Sequence, residues 1–237
     1  MALDTNQRSN APEVMDDFSM EGEILKEALD KIASINKLLG GNKITVEGVK
    51  ELIKNEPTHK IITILDVGCG NGDMLRTLAK FADKHNLKFN LIGLDANQFT
   101  INHAQSLSLD YPNISYCCED IFKDELKDGT LDIVLCTLTL HHFKDPDILT
   151  ILGKLHNKAR LGIVINDLHR SKLAYYLFKG ICYIFGLNEM SRKDGLVSIL
   201  RGFKKKDLLL YSRKLNLKKF SIRWKWAFRY QWIIKTR

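Results

Sequence analysis

Between residues 60 and 168, short apolar runs rich in β-branched residues alternate with segments whose apolar residues recur at helical spacing. Few folds accommodate that order. "KIITILDV", "LKFNLIGLD", "ISYCC", "LDIVLCTL" and "RLGIVINDL" read as five strands, and the first is apolar throughout, as a strand covered on both faces requires. "GDMLRTLAKFADKH" sets Met74, Leu75, Leu78, Ala79 and Ala82 on one helix face. "QFTINHAQSL" and "DPDILTILGKLHN" follow as two further helices, the second with an Asp-Pro start. Strands separated by helices run parallel, so the expected class is α/β, with a doubly wound, mostly parallel sheet.

The two ends of the chain follow other patterns. After a helical stretch over 204–215, "KKFSIRWKW" and "FRYQWIIKT" each alternate apolar and polar residues. They predict a C-terminal antiparallel hairpin with Phe220, Ile222, Trp224, Trp226, Phe228, Tyr230, Trp232 and Ile234 on its buried face. Upstream, "EILKEALDKIASINKLL" has helical spacing and stops at Gly40-Gly41. This part is expected to be an N-terminal helical lid, residues 1–44, over a main domain at 45–237. The polar first dozen residues are expected to lack fixed structure.

Composition narrows the function classes. The five cysteines are odd in number and include no CxxC pair, which points to buried reduced thiols and no metal site in a cytoplasmic protein. The longest apolar stretch, 173–187, is too short for a membrane span and contains Lys179. The net charge of +8 is uneven: residues 201–237 hold 13 Lys and Arg against Asp207 alone. Such a tail suits nucleic acid, an anionic membrane face as a peripheral contact, or a lysine-protected sheet edge.

The turn "LDVGCGNG" after the first strand carries the chemistry. In an open parallel sheet, ligands bind beyond the carboxyl ends of the strands, where strand order reverses. Gly68 and Gly70 let the backbone approach such a ligand, and the following helix start offers N–H donors. A dinucleotide fingerprint needs glycine at position 73, where the chain has Asp73. Carboxylates at 66 and 73 repel phosphate and suit a ligand bearing a cationic amino group.

In these features the chain resembles the class I S-adenosylmethionine-dependent methyltransferases over about residues 45–237. "LDVGCGNG" is similar to their first motif, Asp95 closes "LIGLDAN" at the end of strand two, and "CCEDIF" puts Asp120 after strand three. The terminal hairpin matches their seven-stranded sheet. The resemblance implies S-adenosyl-L-methionine as cofactor. Asp66 would orient its amino group, Gly68 and Gly70 would admit it, and Asp95, beside Ala96, would accept from both ribose hydroxyls. Asp120 would accept from the adenine amino group, with Ile121 beside the ring and Leu138 near the sulfonium. For Asp120 the alternative is a helix cap.

"TLTLHHFKDPD" sets His141 and His142 just past strand four, as the catalytic candidates, with a hydrogen-bonded loop histidine as the alternative. "INDLHRSK" sets Asp167, His169 and Arg170 past strand five as substrate-binding candidates, with a helix cap as the alternative for Asp167. The N-terminal segment and "INDLHR" also resemble a bacterial subgroup acting on small phenolic or polyketide-like molecules. That implies O- or C-methylation of a small hydrophobic acceptor. No Asn-Pro-Pro-Tyr or Asp-Pro-Pro-Tyr follows strand four, which argues against base or amide nitrogen as acceptor. Two alternatives remain open: an RNA methyltransferase using the basic C-terminal region, and a cofactor-binding protein without turnover.

Overall fold

The computed structural model describes residues 3–123 and 131–236. Its strands are β1 (Ile61–Val67), β2 (Lys88–Asp95), β3 (Ile114–Cys118), β4 (Leu131–Thr137), β5 (Ala159–Leu168), β6 (Lys219–Lys225) and β7 (Arg229–Lys235). They form one sheet in the order β3-β2-β1-β4-β5-β7-β6. The first five are parallel, and β7 runs antiparallel to both β5 and β6. Strand order reverses between β1 and β4, so their carboxyl ends open the crevice that such sheets use for ligands.

Helices cover both faces. On one, α2 (Gly41–Ile53), α3 (Asp73–Lys84) and α4 (Gln98–Ser106) pack Val49, Leu75, Leu78 and Ile101 against Ile64, Leu91, Ile133 and Val164. On the other, α5 (Asp145–Lys158) and α8 (Lys205–Lys214) pack Ile148, Leu152, Leu155 and Leu208 against Leu65, Val134, Ile163 and Trp232. Neighbouring residues of one strand feed opposite cores, which is why these strands read as unbroken apolar runs.

Over the carboxyl ends lie α1 (Glu23–Leu38), α6 (Lys172–Ile184) and α7 (Glu189–Arg201). The lid therefore differs from the expected one. Helix α2 runs across the expected boundary at 44/45, and its buried face rests on β5 and β7, which makes it part of the sheet's helical layer. The lid is α1 together with α6 and α7, from between β5 and β6. The segment from Thr5 to Ser9, within the first dozen residues, is also held. Ser9 N–H donates to the Leu200 carbonyl (3.0 Å), Arg170 Nε to that of Thr5 (3.0 Å), and Arg8 Nη2 to those of His141 (3.1 Å) and Phe143 (2.9 Å). Guanidinium forks on backbone carbonyls replace the apolar burial that this segment lacks.

The hairpin alternation holds only in part. Tyr230, Trp232 and Ile234 are core residues, and β7 is covered on both faces between β5 and β6. Phe220, Trp224 and Trp226 are exposed, because β6 is the sheet's edge and Trp226 lies in the hairpin loop. Arg223 and Lys225 on that edge pair with Glu51 and Glu47 of α2. This spends part of the tail's positive charge within the molecule.

Candidate active site

A cavity of about 630 Å³ opens at the carboxyl ends of β1, β2 and β4. Every expected cofactor position lines it: Asp66, Gly68, Gly70, Asp95, Ala96, Asp120, Ile121 and Leu138. Gly68 has φ +67°, and a Cβ there would stand 2.6 Å from the Thr139 methyl. Gly70 has φ +52°, and a Cβ there would meet only Leu29 at 3.7 Å, so its open side faces the cavity. The turn thus keeps glycine at 68 against the protein and at 70 for the backbone conformation and the space.

Three carboxylates stand around this turn. Asp66, at the end of β1, is buried and its Oδ1 has no hydrogen-bond partner. Burial, reinforced by the negative charge of Asp95, pushes its carboxyl up to about 8. Asp95 accepts from Gly70 N–H on Oδ2 (3.1 Å) and from Asn97 N–H on Oδ1 (3.1 Å). Burial still raises it, outweighing those two amides. Asp120 accepts from Phe122 N–H (3.0 Å), so its side chain braces its own turn at the cavity wall. Leu138 sits at φ +56°, an uncommon conformation for a branched side chain, with its N–H on the Asn166 carbonyl (2.9 Å).

His141 and His142 also line the cavity, their rings 4.2 Å apart. His141 Nδ1 lies 2.7 Å from Asp167 Oδ1, and its backbone N–H donates to Asp167 Oδ2 (3.2 Å). Burial would raise the Asp167 carboxyl, but the facing imidazole outweighs it and the net displacement is downward. An ionised carboxylate only accepts, so the Nδ1 facing it carries the proton. His142 Nδ1 pairs in the same way with Asp16 Oδ1 (2.7 Å), and this carboxyl is held well below the usual range.

The substrate-binding expectations divide. His169 lines the cavity, and its Nδ1 accepts from Trp224 Nε1 (3.2 Å). Burial, with the nearby positive charges of Lys204 and Arg170, lowers its basicity. Asp167 and Arg170 do not line the cavity. Asp167 stands behind His141 as its orienting group. Arg170 is fully buried among the carbonyls of Thr5, Gly202 and Asn6 and the Asp207 carboxylate, a knot that ties the N-terminal segment to the start of α8.

Sequence reasoning missed a second set. Glu13 is buried, with Oε2 accepting from Ser198 Oγ (2.7 Å) and Oε1 without a hydrogen bond. Asp194 of α7 accepts from Val14 N–H (2.9 Å) and Met15 N–H (3.0 Å). Arg201 donates to Asp16 Oδ2 (2.6 Å) and to the carbonyls of His141 and His142. Donor atoms of Glu13, His141 and His142 converge within 4.8 Å of one another, where the Arg201 guanidinium, 3.5 Å from Glu13 Oε1, already supplies positive charge. The contacts of Glu13 and Asp16 with His142, Ser198 and Arg201 span 126 to 185 positions, and those of Arg201 with the two histidine carbonyls 59 and 60, so no local motif joins them.

Residues 64–162 match the family described as "Methyltransferase domain". The match runs from within β1 to within β5 and leaves the lid helices and the hairpin outside it. Around it, the ubiquinone biosynthesis O-methyltransferase of Coxiella burnetii (strain RSA 493 / Nine Mile phase I) is 30% identical over 140 residues, 57% of this chain and 56% of that protein. The chain thus matches little more than half the length of that relative. The same-named protein of Hydrogenovibrio crunogenus is 26% identical over 181 residues, 73% of this chain and 68% of that one. In fold, the chain is similar to the plantazolicin methyltransferase BpumL, solved in complex with SAH, with a TM-score of 0.67, 15% identity and 90% of each chain covered.

Proposed function

We propose that this protein transfers a methyl group from S-adenosyl-L-methionine to a hydroxyl of a small hydrophobic, phenol-like acceptor. The observation that carries the reading is the His141–Asp167 pair at the cavity wall, beside the three carboxylates of the glycine turn. The fit to the cofactor rests on Asp66, whose buried, unpartnered Oδ1 lacks the cationic donor that an ammonium would provide. Asp66 would hold the amino group, Asp95 the ribose hydroxyls, and Asp120 with Ile121 the adenine. When bound, the cofactor supplies an electrophilic methyl group on a sulfonium.

What the chain's own residues do follows from their protonation. Nε2 of His141 takes the acceptor's hydroxyl proton, and Asp167 stabilises the resulting imidazolium without itself being protonated. His142, held by Asp16, fixes the second wall. The lid and the apolar lining keep water from the cavity, which strengthens each of these interactions. The relatives named for ubiquinone biosynthesis support an oxygen on a small molecule as the acceptor atom.

Two substitutions test the assignment. Asp95→Ala should weaken S-adenosylmethionine binding at least about tenfold in calorimetry, because two ribose hydroxyls lose a charged acceptor. Asp167→Asn should leave that affinity within about twofold while lowering kcat toward a panel of phenols by about 100-fold or more, through the wrong imidazole tautomer. No transfer to any phenol by the wild type, with cofactor still bound, would favour a protein without turnover. Transfer to RNA would favour the nucleic-acid alternative.

A further inference from the structure

The outer face of α6 is apolar where a surface helix is ordinarily polar. Leu173, Tyr176, Leu177, Tyr183 and Ile184 are all exposed, Tyr183 and Ile184 by 91% and 77%. With Gly180 they fall at i, i+3, i+4, i+7, i+10 and i+11, a single stripe about 17 Å long at 1.5 Å per residue. The inner face of the same helix, through Ala174, Phe178 and Ile181, lines the cavity. One helix therefore separates the apolar interior of the site from an apolar exterior.

The mouth of the cavity has the same character. Phe18, Ile32, Leu177 and Trp226 line the cavity and are exposed as well, Trp226 by 73%, so they form its rim. Helices α6 and α7 carry Lys172, Lys179, Arg192 and Lys193, all exposed, against the exposed acids Glu189, paired with Lys193, and Glu27, which meets Asn188 at the start of α7. Lys179 lies over the rings of Tyr175 and Tyr176, its Nζ 5.2 and 5.9 Å from their centroids. A continuous apolar stripe, tyrosine and tryptophan at its margin, and flanking lysines make up the composition that seats a helix in the plane of an anionic bilayer.

The geometry points to the outer face of α6, with the Trp226 loop, as a docking surface for an anionic lipid bilayer, which the cavity mouth then faces directly. No helix among the described residues is long and apolar enough to cross a membrane, so the contact is one of lying on the surface. The use of this contact, drawing a hydrophobic acceptor from the lipid phase, rests on the methyl-transfer reading; the contact itself is measured without acceptor or cofactor.

The test is vesicle flotation of the full chain with phosphatidylglycerol vesicles and with phosphatidylcholine vesicles, followed by size-exclusion chromatography over a concentration series. The wild type should float with the anionic vesicles and remain in solution with the zwitterionic ones. Tyr183→Glu with Ile184→Glu places charge on largely exposed positions that do not line the cavity; it should cut vesicle binding at least about tenfold while leaving cofactor affinity unchanged. Lys172→Glu with Lys179→Glu should remove the preference for anionic lipid. A wild type that stays in solution with both vesicle types, or a glutamate variant that floats as well as the wild type, overturns the proposal. So does a dimer that dissociates in the glutamate variant without any vesicle binding, which would make a second copy of the chain the occupant of the stripe.

Discussion

The sheet and the lid are stabilised by different physics. Between β1 and β5 two clusters of apolar residues fill the space between sheet and helices, and three of the four strand pairs join consecutive strands. In the lid, the N-terminal segment meets α7 through Glu13–Ser198, Asp16–Arg201 and Asp194 on two backbone amides, contacts spanning about 180 residues. Apolar burial is nondirectional and tolerates small shifts. A buried polar seam is specific, and leaving one partner unpaired costs more than the pair contributes. Where chemistry needs two imidazoles aimed at one cavity, the protein uses the second kind.

The contrast can be broken at four places, in descending order of effect. Leu152→Ala, in the core between α5 and the sheet, should cost about 2–5 kcal/mol, read as a lower urea midpoint with unchanged slope and unchanged cofactor affinity in native buffer. Asp66→Asn should act in the opposite direction on the cofactor-free protein. The carboxyl's folded value, about 8, stands above its ordinary 3.8, so the advantage of burying it protonated is complete below pH 3.8 and is lost as pH rises through 8. The wild type should lose stability over that window. The asparagine variant should not, and should be the more stable of the two at pH 8. Cofactor binding by the wild type should tighten over the same rise, as an ionised Asp66 meets the ammonium, and this trend should vanish in the variant.

Arg201→Met removes one donor from Asp16 and from each of two carbonyls and should cost about 1–3 kcal/mol, confined to the lid. Amide exchange should quicken over residues 8–17 and 140–143 and stay slow in β1, β4 and β5. Equal acceleration throughout would show that lid and sheet unfold together and that the division drawn here is wrong. Arg223→Ala, which removes an exposed ion pair to Glu51 at the sheet edge, should change the melting point by less than the equivalent of about 0.5 kcal/mol.

The same contrast explains what the sequence discloses. All five parallel strands and α3, α4 and α5 are legible, because apolar periodicity reports burial against an apolar core. Helix α7 escapes that reading, since the residues it buries include Ser191, Asp194, Ser198 and Arg201: helical spacing, but polar. The glycine turn and its carboxylates are local and therefore visible. The service of Asp167 to His141 is not, because the residue after a strand reads equally as a cap, a substrate contact or an orienting group until its neighbour across the crevice is known. Nor does the sequence of the hairpin say which strand lies inside the sheet and which forms its rim, although β7 inside and β6 outside explain why Trp232 is buried and Trp224 is not.

The polar cluster around Arg201 also has a bearing on the order of assembly. Its partners belong to the start of the chain, the middle and a helix near residue 200, and contacts between such distant segments are made only after the intervening chain has collapsed. A refolding molecule should therefore regain its sheet, and with it room for a nucleoside, before its two histidines come under tension from the closing lid. Activity should return later than secondary structure, with a delay set by the slowest strap to dock.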